Sequence, residues 1–424
     1  MTPTAGASPV PKSAPKPGPP PRLRNGVIRR GKTWSYVIRV ADARGVSKPR
    51  WVGGFPTEVA AKRARDEARI AASTGGYVDR STLTVEDYLV EWLAGHAVEV
   101  KPRTRAGYAH LIDTYVIPRI GGLRLQAVKS ADLSRLYRDL LEGGGRDGRP
   151  LSGRSVEYVH AVLRKAFADA VRTDQLLSSN PAERAKRPRK DVAQPVVMWS
   201  AADLAAFLAS TQGHRLHAFF WLAAATGARR GELVNLRWAD VHLGDTHSGE
   251  AAAVRLRGTV SVINGVRVEG STKGGRERVV SIDPATAAVL KAHRVAQDRE
   301  RVLAAGSWVD DYETTGGGHV FRQELGAPLF PDTPTALMRK LLQQHNNPAD
   351  TDPTGRARTL SVIRLHDLRH LHASLLLKAG VPVHIVAHRL GHADPSITLR
   401  VYAHVLDDQA SHAATVFAEV LRRE

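Results

Sequence analysis

The stretch RLHDLRHLHASLLLKAGVPVHIVAHRLGHADPSITLRVYAHV, from Arg364 to Val405, contains side chains that suit the binding and cleavage of a phosphodiester. Leucines at helical spacing predict a first helix that carries His366 and Arg369. Residues three apart on a helix share a face, so both side chains could donate hydrogen bonds to one anion. The start of this stretch therefore predicts an anion-binding site.

The rest of the same stretch predicts two more helices. A glycine and a proline break the first helix, and Val383–Leu390 forms the second. Gly391, Asp394 and Pro395 predict a sharp turn around His392, which leads to a third helix that begins near Ser396. Tyr402 is then expected two turns into this last helix.

Two simpler interpretations of these residues stay open. A single tyrosine on a helix usually belongs to the hydrophobic core. The pairs His366/His370 and His384/His388 have the i,i+4 spacing of metal ligands, which would suit zinc. HDLRH contains no glutamate that could act as a base, and the chain has no cysteine. We therefore favour a site with no metal and no cofactor.

Two upstream segments add further anion-binding groups. Thr226–Val241, TGARRGELVNLRWADV, predicts a glycine break and then a helix, with Arg229 in its first turn and Glu232 one turn later. Ser271–Ile282, STKGGRERVVSI, predicts two short strands with Lys273 at their tip. A lysine on such a hairpin could reach a leaving oxygen.

The motifs TGARRGEL, HDLRH and LGH, with a tyrosine ten residues after the last histidine, together resemble the tyrosine site-specific recombinases of the phage integrase family. Each motif alone is weak, but their joint occurrence in this order is specific. An alanine, arginine and glycine bias indicates a G+C-rich host, such as an actinobacterium or its phage. The resemblance implies six catalytic residues: Arg229, Lys273, His366, Arg369, His392 and Tyr402.

The chemistry of phosphoryl transfer suggests a role for each of these groups. Negative charge builds on the non-bridging oxygens, and the guanidinium groups of Arg229 and Arg369 can neutralise it. A tyrosine hydroxyl with a reference pKa of ~10 is a weak nucleophile, so either a neighbour takes the proton of Tyr402 or the cationic surroundings favour its phenolate form. His366 is the candidate base. The other expected roles are hydrogen bonding to the phosphate by His392, protonation of the 5′ oxygen by Lys273 and, from the resemblance, orientation of neighbouring groups by Glu232.

Composition limits the partners of the chain. Its 424 residues exceed one ordinary core, so two or three domains are expected. The net charge of +19 indicates a polyanion, and without a long apolar span we expect double-stranded DNA rather than a membrane. A merely soluble basic protein is the simpler alternative. The lack of cysteine fits a reducing bacterial cytoplasm, where the protein would associate with the nucleoid.

The predicted fold class is multidomain and mainly α, with small β elements. Residues 1–21 predict a disordered tail. Residues 22–75 predict a three-stranded sheet plus a helix, Thr57–Ser73, which resembles an arm-site DNA-binding domain. Residues 80–187 predict a four-helix core-binding bundle. A basic linker at 188–195 would precede a mixed α+β catalytic domain at 196–424.

Within the bundle, the predicted helices are one that begins after Thr84, and Thr104–Ile117, Ser130–Glu142 and Ser152–Arg172. Within the catalytic domain we predict helices at Ala201–Ser210, His214–Thr226 and Pro284–Ala305, strands at Ala252–Val262 and Gly265–Ile282, and a strand pair at His319–Phe321 and Pro328–Phe330. Gln409–Leu421 predicts an amphipathic helix that packs on its own domain or on a neighbouring protomer. Basic residues are expected to contact DNA phosphates or simply to be solvated: Arg29, Arg30, Arg39, Arg103, Arg105, Arg154 and Lys165.

The resemblance implies an integrase that acts on DNA attachment sites as a homotetramer through a 3′-phosphotyrosyl intermediate, without ATP. A DNA-bending host factor and an excision factor are further expected partners. Three alternatives stay open: a DNA-relaxing topoisomerase with a tyrosine nucleophile, a non-catalytic DNA-binding regulator on the same fold, and a metal-dependent nuclease. The nuclease would need clustered acidic residues, which the motifs lack.

Overall fold

The computed structural model describes residues 26–41, 46–73, 76–188, 198–244, 249–272, 275–309, 318–347, 359–399 and 422. Lys273, Tyr402, the tail 1–21, the linker segment 189–195 and the predicted helix Gln409–Leu421 lie outside these residues. The chain divides into two compact units, Met1–Val100 with Gly107–Asp191, and Lys101–Ala106 with Val192–Glu424. The separation of 22–75 from 80–187 as distinct domains stays a prediction.

The first unit begins with the predicted three-stranded sheet and helix. Strands β1 (Val27–Arg30), β2 (Thr33–Ala41) and β3 (Ser47–Phe55) pair antiparallel in the order β1-β2-β3. Helix α1 (Glu58–Ser73) packs on the sheet through Ala61, which is fully buried. The alternation of apolar and polar residues along the strands places one face against this helix. The sheet and its helix confirm the prediction.

The predicted helical bundle follows, with Thr84 capping its first helix as expected. A π-helical turn, Ile112–Val116, makes the second predicted helix nearly continuous up to Gly121. The apolar stripes of the helices meet in one core that includes Leu89, Tyr137 and Phe167. The helices are α2 (Val85–Gly95), α3 (Pro102–Leu111), α4 (Ile117–Ile120), α5 (Ser130–Gly143) and α6 (Gly153–Arg172).

The second unit is built around a helix that is apolar on all sides. This helix, α8 (His217–Thr226), carries Phe219 and Phe220 fully buried, which is the pattern of a central helix. The described helices of this unit are α7 (Ala201–Ser210), α8 (His217–Thr226), α9 (Arg230–Val234), α10 (Pro284–Ala304), α11 (Asp332–Asn346), α12 (Asp367–Lys378) and α13 (Val383–Leu390). A further helical turn covers 395–399.

Two small antiparallel sheets lie beside these helices. One has the strand order β4 (Val241–His242), β5 (Ala253–Leu256) and β8 (Arg278–Ser281). The other is the hairpin of β6 (Gly258–Ile263) and β7 (Val266–Ser271). The predicted hairpin within Ser271–Ile282 is wrong, because β7 pairs with β6 and β8 pairs with β5. The segment that contains Lys273 therefore connects two different sheets.

Other local predictions for this unit need correction. The pair His319–Phe321 with Pro328–Phe330 is not a sheet, since the described residues there form only isolated bridges, including Arg322 to Pro328. The helix predicted from Thr226–Val241 is short, because the chain leaves it at Asn235 and pairs Arg237 with His319. Helix α8 begins three residues later than predicted, and α11 was not predicted.

Among the described residues, no helix combines the length and the apolar character that a membrane crossing requires.

Candidate active site

The first component of the site forms where α8 ends. Gly227 has a left-handed backbone (φ +61°), and an added Cβ would lie 2.7 Å from the Leu390 side chain. Arg229 is therefore turned into the N-cap position of α9. Its backbone N–H donates to Glu232 Oε2 (2.8 Å), and its Nη1 donates to Oε1 (3.0 Å). Glu232, itself only 2% exposed, thus fixes both ends of Arg229.

A second arginine, from strand β8, shares this carboxylate. Arg278 Nη1 donates to Glu232 Oε1 (3.0 Å) and Nη2 donates to Oε2 (2.7 Å). Burial raises the pKa of Glu232, but hydrogen bonds and charges from Arg278 and Arg229 outweigh this and leave the pKa below its ordinary value. Glu232 is therefore ionised at neutral pH. Two guanidinium groups and one carboxylate give the cluster a net charge of about +1.

Arg369, in the first turn of α12, provides the second predicted guanidinium group. Arg369 is only 4% exposed to solvent. Nη1 donates to the Gly227 carbonyl oxygen and Nη2 to the Leu390 carbonyl oxygen, both at 2.7 Å. These bonds connect the end of α8 with the end of α13. Since Gly227 precedes Arg229 by two residues, the two arginines lie at the same end of α8.

His366 precedes α12 at its N-cap position, rather than lying inside the helix as predicted. The side chain remains accessible to solvent, and its ring meets the His370 ring edge-on at 5.2 Å. Partial burial, with the charges of His370 and Arg369, lowers the pKa of His366 to about 4. A neutral imidazole at this position can accept a proton.

Within the described ranges, no group of three histidine or acidic side chains could hold a metal ion.

His392 follows the left-handed Gly391 that ends α13. Its Nδ1 lies 2.6 Å from the hydroxyl oxygen of Thr398, which is fully buried. Burial lowers the pKa of His392 to about 4, and the charges of Arg369 and Arg229 add to this effect. The imidazole therefore shares its surroundings with both predicted guanidinium groups.

The fold brings together five of the predicted site residues from three separate segments of the chain: Arg229, Glu232, His366, Arg369 and His392. Lys273 and Tyr402 lie outside the described residues, and so their predicted roles are not tested. Thr272, which directly precedes Lys273 in the sequence, is buried, and its hydroxyl group donates to the Arg276 carbonyl oxygen (2.6 Å). The assembled groups present cationic and neutral donors to an anion.

The side chains predicted to contact DNA are all exposed, as phosphate contacts require. Some also have partners within the protein. Arg39 donates to the Ser47 carbonyl oxygen (2.9 Å), the Arg30 guanidinium lies 4.5 Å from the Trp51 ring centroid, and Lys165 donates to Asp169 (2.8 Å). Contact with DNA stays a prediction for Arg29, Arg30, Arg39, Arg103, Arg105, Arg154 and Lys165.

Sequence reasoning missed Arg278 and Arg389. Arg389 donates to His372 Nε2 (3.1 Å), to the Ser281 carbonyl oxygen and to the Ala225 carbonyl oxygen (both 2.9 Å). These hydrogen bonds connect α13 to α8 and β8. A signal for Arg278 was present, since strand alternation places it on the same face as the buried Val280. A buried guanidinium group requires hydrogen-bond acceptors, and the carboxylate of Glu232 is one that the sequence offers.

Comparison with known proteins identifies the family of this chain. The sequence profile of the Phage integrase family matches residues 200–409, and that of the phage integrase N-terminal SAM-like domain matches residues 84–141. A XerC-like tyrosine recombinase of Caldanaerobacter subterraneus is 26% identical over 378 residues, which cover 84% of this chain and 88% of the relative. An integrase of Streptomyces ambofaciens is 27% identical over 372 residues, with 88% and 89% covered.

A solved structure of the Tn1549 transposon integrase in complex with a circular intermediate DNA has a TM-score of 0.63. It is 20% identical and covers 79% of this chain and 99% of that one, so it shows a shared fold. The family profiles, the relatives and the arrangement of the arginines and histidines lead to one assignment. The chain belongs to the phage integrase family of tyrosine recombinases, and it is a DNA breaking-and-rejoining enzyme of site-specific recombination.

Proposed function

We propose that the protein integrates or excises a mobile DNA element by cleaving and rejoining double-stranded DNA through a phosphotyrosyl bond to Tyr402. The reaction requires neither a metal nor ATP. The observation that supports it most is the position of Arg229 and Arg369 at one end of α8, with Gly227 bonded to Arg369. Two guanidinium groups at one place can bind the two non-bridging oxygens of a single phosphate.

Each exchange step conserves the number of phosphate ester bonds. The Tyr402 hydroxyl oxygen attacks phosphorus, and His366 takes its proton. The bond from phosphorus to the 5′ oxygen breaks, and Lys273 gives that oxygen a proton. The products are a 3′-phosphotyrosyl enzyme and a free 5′ hydroxyl. A second 5′ hydroxyl then attacks the phosphotyrosyl bond and releases Tyr402, so no external energy source is consumed.

The neutral state of both histidines supports these roles. His366, with its pKa lowered to about 4, has a free lone pair at neutral pH. His392 can donate to the phosphate through Nε2 when its Nδ1 accepts from the Thr398 hydroxyl. Glu232 keeps Arg229 in place through the bonds to its backbone and side chain. The bound phosphate would raise the pKa of each imidazole.

The partner is double-stranded DNA that carries an attachment site, and the net charge of +19 favours binding to this polyanion. Two sequential exchanges need four protomers and pass through a four-way junction. A DNA-bending host factor and an excision factor would set the direction of the reaction. The proposed location is the bacterial cytoplasm, on the nucleoid.

The test uses a nicked duplex that carries the junction sequence found at the ends of the integrated element. Wild-type protein should form a covalent adduct that survives denaturing electrophoresis. Tyr402→Phe should form no adduct but bind the duplex with unchanged affinity, because only the nucleophilic oxygen is lost. Tyr115→Phe, in the π-helical turn of the first unit, is the matched control and should behave as wild type.

Cleavage by Tyr402→Phe would refute the assignment of the nucleophile. Binding without any adduct from the wild-type protein would favour a non-catalytic regulator. Relaxation of a supercoiled plasmid that lacks the junction sequence would instead favour a topoisomerase.

A further inference from the structure

We propose that Arg278 is a positioning residue for the two phosphate-binding groups Arg229 and His392. This inference rests on the proposed function, because it concerns groups that act on phosphorus. Arg278 lies in the segment Ser271–Ile282 that contains Lys273, but the proposed function assigns it no role. It connects β8, the start of α9 and the end of α13 within the second unit.

The first link runs through Glu232. Each of its carboxylate oxygens accepts hydrogen bonds from both arginines: Oε1 from Arg229 Nη1 and Arg278 Nη1, and Oε2 from the Arg229 backbone and Arg278 Nη2. The side chains of Arg278 and Glu232 are only 5% and 1% exposed. Water therefore cannot replace a lost bond easily. With Arg278 absent, the carboxylate would be free to turn, and the Arg229 guanidinium would turn with it.

The second link runs to the end of α13. Arg278 Nε donates to the Arg389 carbonyl oxygen (2.9 Å). Two residues on, Gly391 lies so near that a Cβ there would be 2.8 Å from Arg278 Nη1 and 3.0 Å from Cζ. Gly391 has a left-handed backbone (φ +68°) and directly precedes His392. The guanidinium plane therefore supports the turn from which His392 projects.

Charge gives Arg278 a further effect on Arg229. If Glu232 were paired with Arg229 alone, its negative charge would neutralise the Arg229 guanidinium and weaken its attraction for a phosphate. Arg278 balances that carboxylate and leaves the cluster with a net charge of about +1. A lysine cannot reproduce the arrangement, because one ammonium group cannot contact both carboxylate oxygens and the Arg389 carbonyl as the planar fork does.

The decisive experiment compares Arg278→Lys with wild type on two nicked junction duplexes. One has an ordinary phosphodiester at the cleavage position, and the other has a methylphosphonate, in which a methyl group replaces one charged oxygen. The methylphosphonate develops less negative charge, so its cleavage depends less on a correctly placed guanidinium. We expect Arg278→Lys to slow cleavage of the phosphodiester by roughly 10- to 100-fold, with a clearly smaller loss on the methylphosphonate and unchanged duplex binding.

A matched control is Arg215→Lys. Arg215 makes the same two-pronged contact with a carboxylate, Glu300, at 2.6 and 2.8 Å, but at the opposite end of α8. We expect this variant to cleave both duplexes at the wild-type rate. If Arg278→Lys slows both duplexes by the same factor, its role is only structural, and the inference is overturned.

A double variant tests the link to Arg229 directly. If Arg278 acts through Arg229, Arg229→Lys with Arg278→Lys should lose little more phosphodiester cleavage than Arg229→Lys alone. Losses that multiply in full would overturn the proposed link from Arg278 to Arg229. If Arg278→Lys fails to fold, Gly391→Ala can replace it, because the added methyl group would displace the Arg278 guanidinium. We expect Gly391→Ala to slow cleavage of the phosphodiester more than cleavage of the methylphosphonate. An unchanged ratio of the two cleavage rates would overturn the inference.

Measurements on the wild-type protein distinguish a failure of the proposed function from a failure of the inference about Arg278. If it forms no adduct on the ordinary duplex, the proposed function fails, and this inference fails with it. If the wild type forms the adduct and Arg278→Lys matches its rate on both duplexes, only the inference about Arg278 fails.

Discussion

Glu232→Gln should destabilise the second unit strongly. The substitution keeps the shape of the side chain and removes its charge. In the native protein the carboxylate accepts two hydrogen bonds from Arg229 and two from Arg278, and its side chain is 1% exposed. A glutamine offers one oxygen, and its amide N–H groups would face N–H donors. Two arginines would therefore lose their anionic partner.

The expected loss follows from the burial of this pair. Removing one partner of a buried ion pair costs about 3–5 kcal/mol. For a unit of this size each kcal/mol lowers the melting temperature by roughly 2–4 °C, so we expect a fall of about 6–20 °C. Asp332→Asn is the matched control, because Asp332 also pairs with an arginine, Arg230, at 2.8 Å but its side chain is 75% exposed. That exposed pair should contribute at most about 1 kcal/mol.

Differential scanning calorimetry of both variants against wild type measures these shifts in the transition of the second unit. The pH dependence provides a second check. The pKa of Glu232 is below its ordinary value of 4.5 in the folded protein, so its contribution is present above that value and is lost as the pH falls through the folded pKa. The gap between wild type and Glu232→Gln should therefore narrow in acid. A shift no larger than that of Asp332→Asn would refute the shared-carboxylate argument.

Four further predictions follow from the site. In NMR titrations of the free protein, His366 and His392 should protonate with midpoints near 4. Because folding lowers both pKa values, the free energy of unfolding should fall as the pH drops from about 6.5 to about 4. Midpoints near 6.5 would contradict the argument that burial lowers these pKa values. Gly391→Ala should cost at least about 1–2 kcal/mol in urea unfolding, since its φ is +68° and its Cβ would press on Arg278, whereas Gly213→Ala, which meets nothing within 4 Å, should cost less. Arg229→Lys should slow adduct formation on the nicked duplex by roughly 100- to 1,000-fold, because an ammonium group cannot replace the planar fork; near-normal cleavage would remove Arg229 from the phosphate site. A chelator should leave adduct formation unchanged, while a loss that zinc restores would support the histidine-metal interpretation.

The sequence by itself determined the local elements and the order of the chemical groups. The bounds of α13, Val383–Leu390, were predicted correctly, because its proline start and glycine end are local signals. The start of α2 after Thr84 was predicted for the same reason. The family was also recognisable, because its motifs are short and keep a fixed order along the chain.

Strand pairing was decided only by the tertiary structure. The pattern within Ser271–Ile282 indicates two strands but cannot say which neighbours they choose. In the fold, β7 pairs with β6 and β8 with β5, so the segment around Lys273 connects two sheets. Helix α11 was missed altogether.

The tertiary structure also decided how the site is held together. Glu232 and Arg278 are 46 residues apart in sequence, and Arg369 reaches a carbonyl 142 residues away. No local propensity encodes such pairs, because each depends on several elements packing at once. The sequence therefore named the groups that we propose to meet the phosphate, whereas folding selected the buried charges around them, since a buried guanidinium group is stable only where hydrogen-bond acceptors satisfy it.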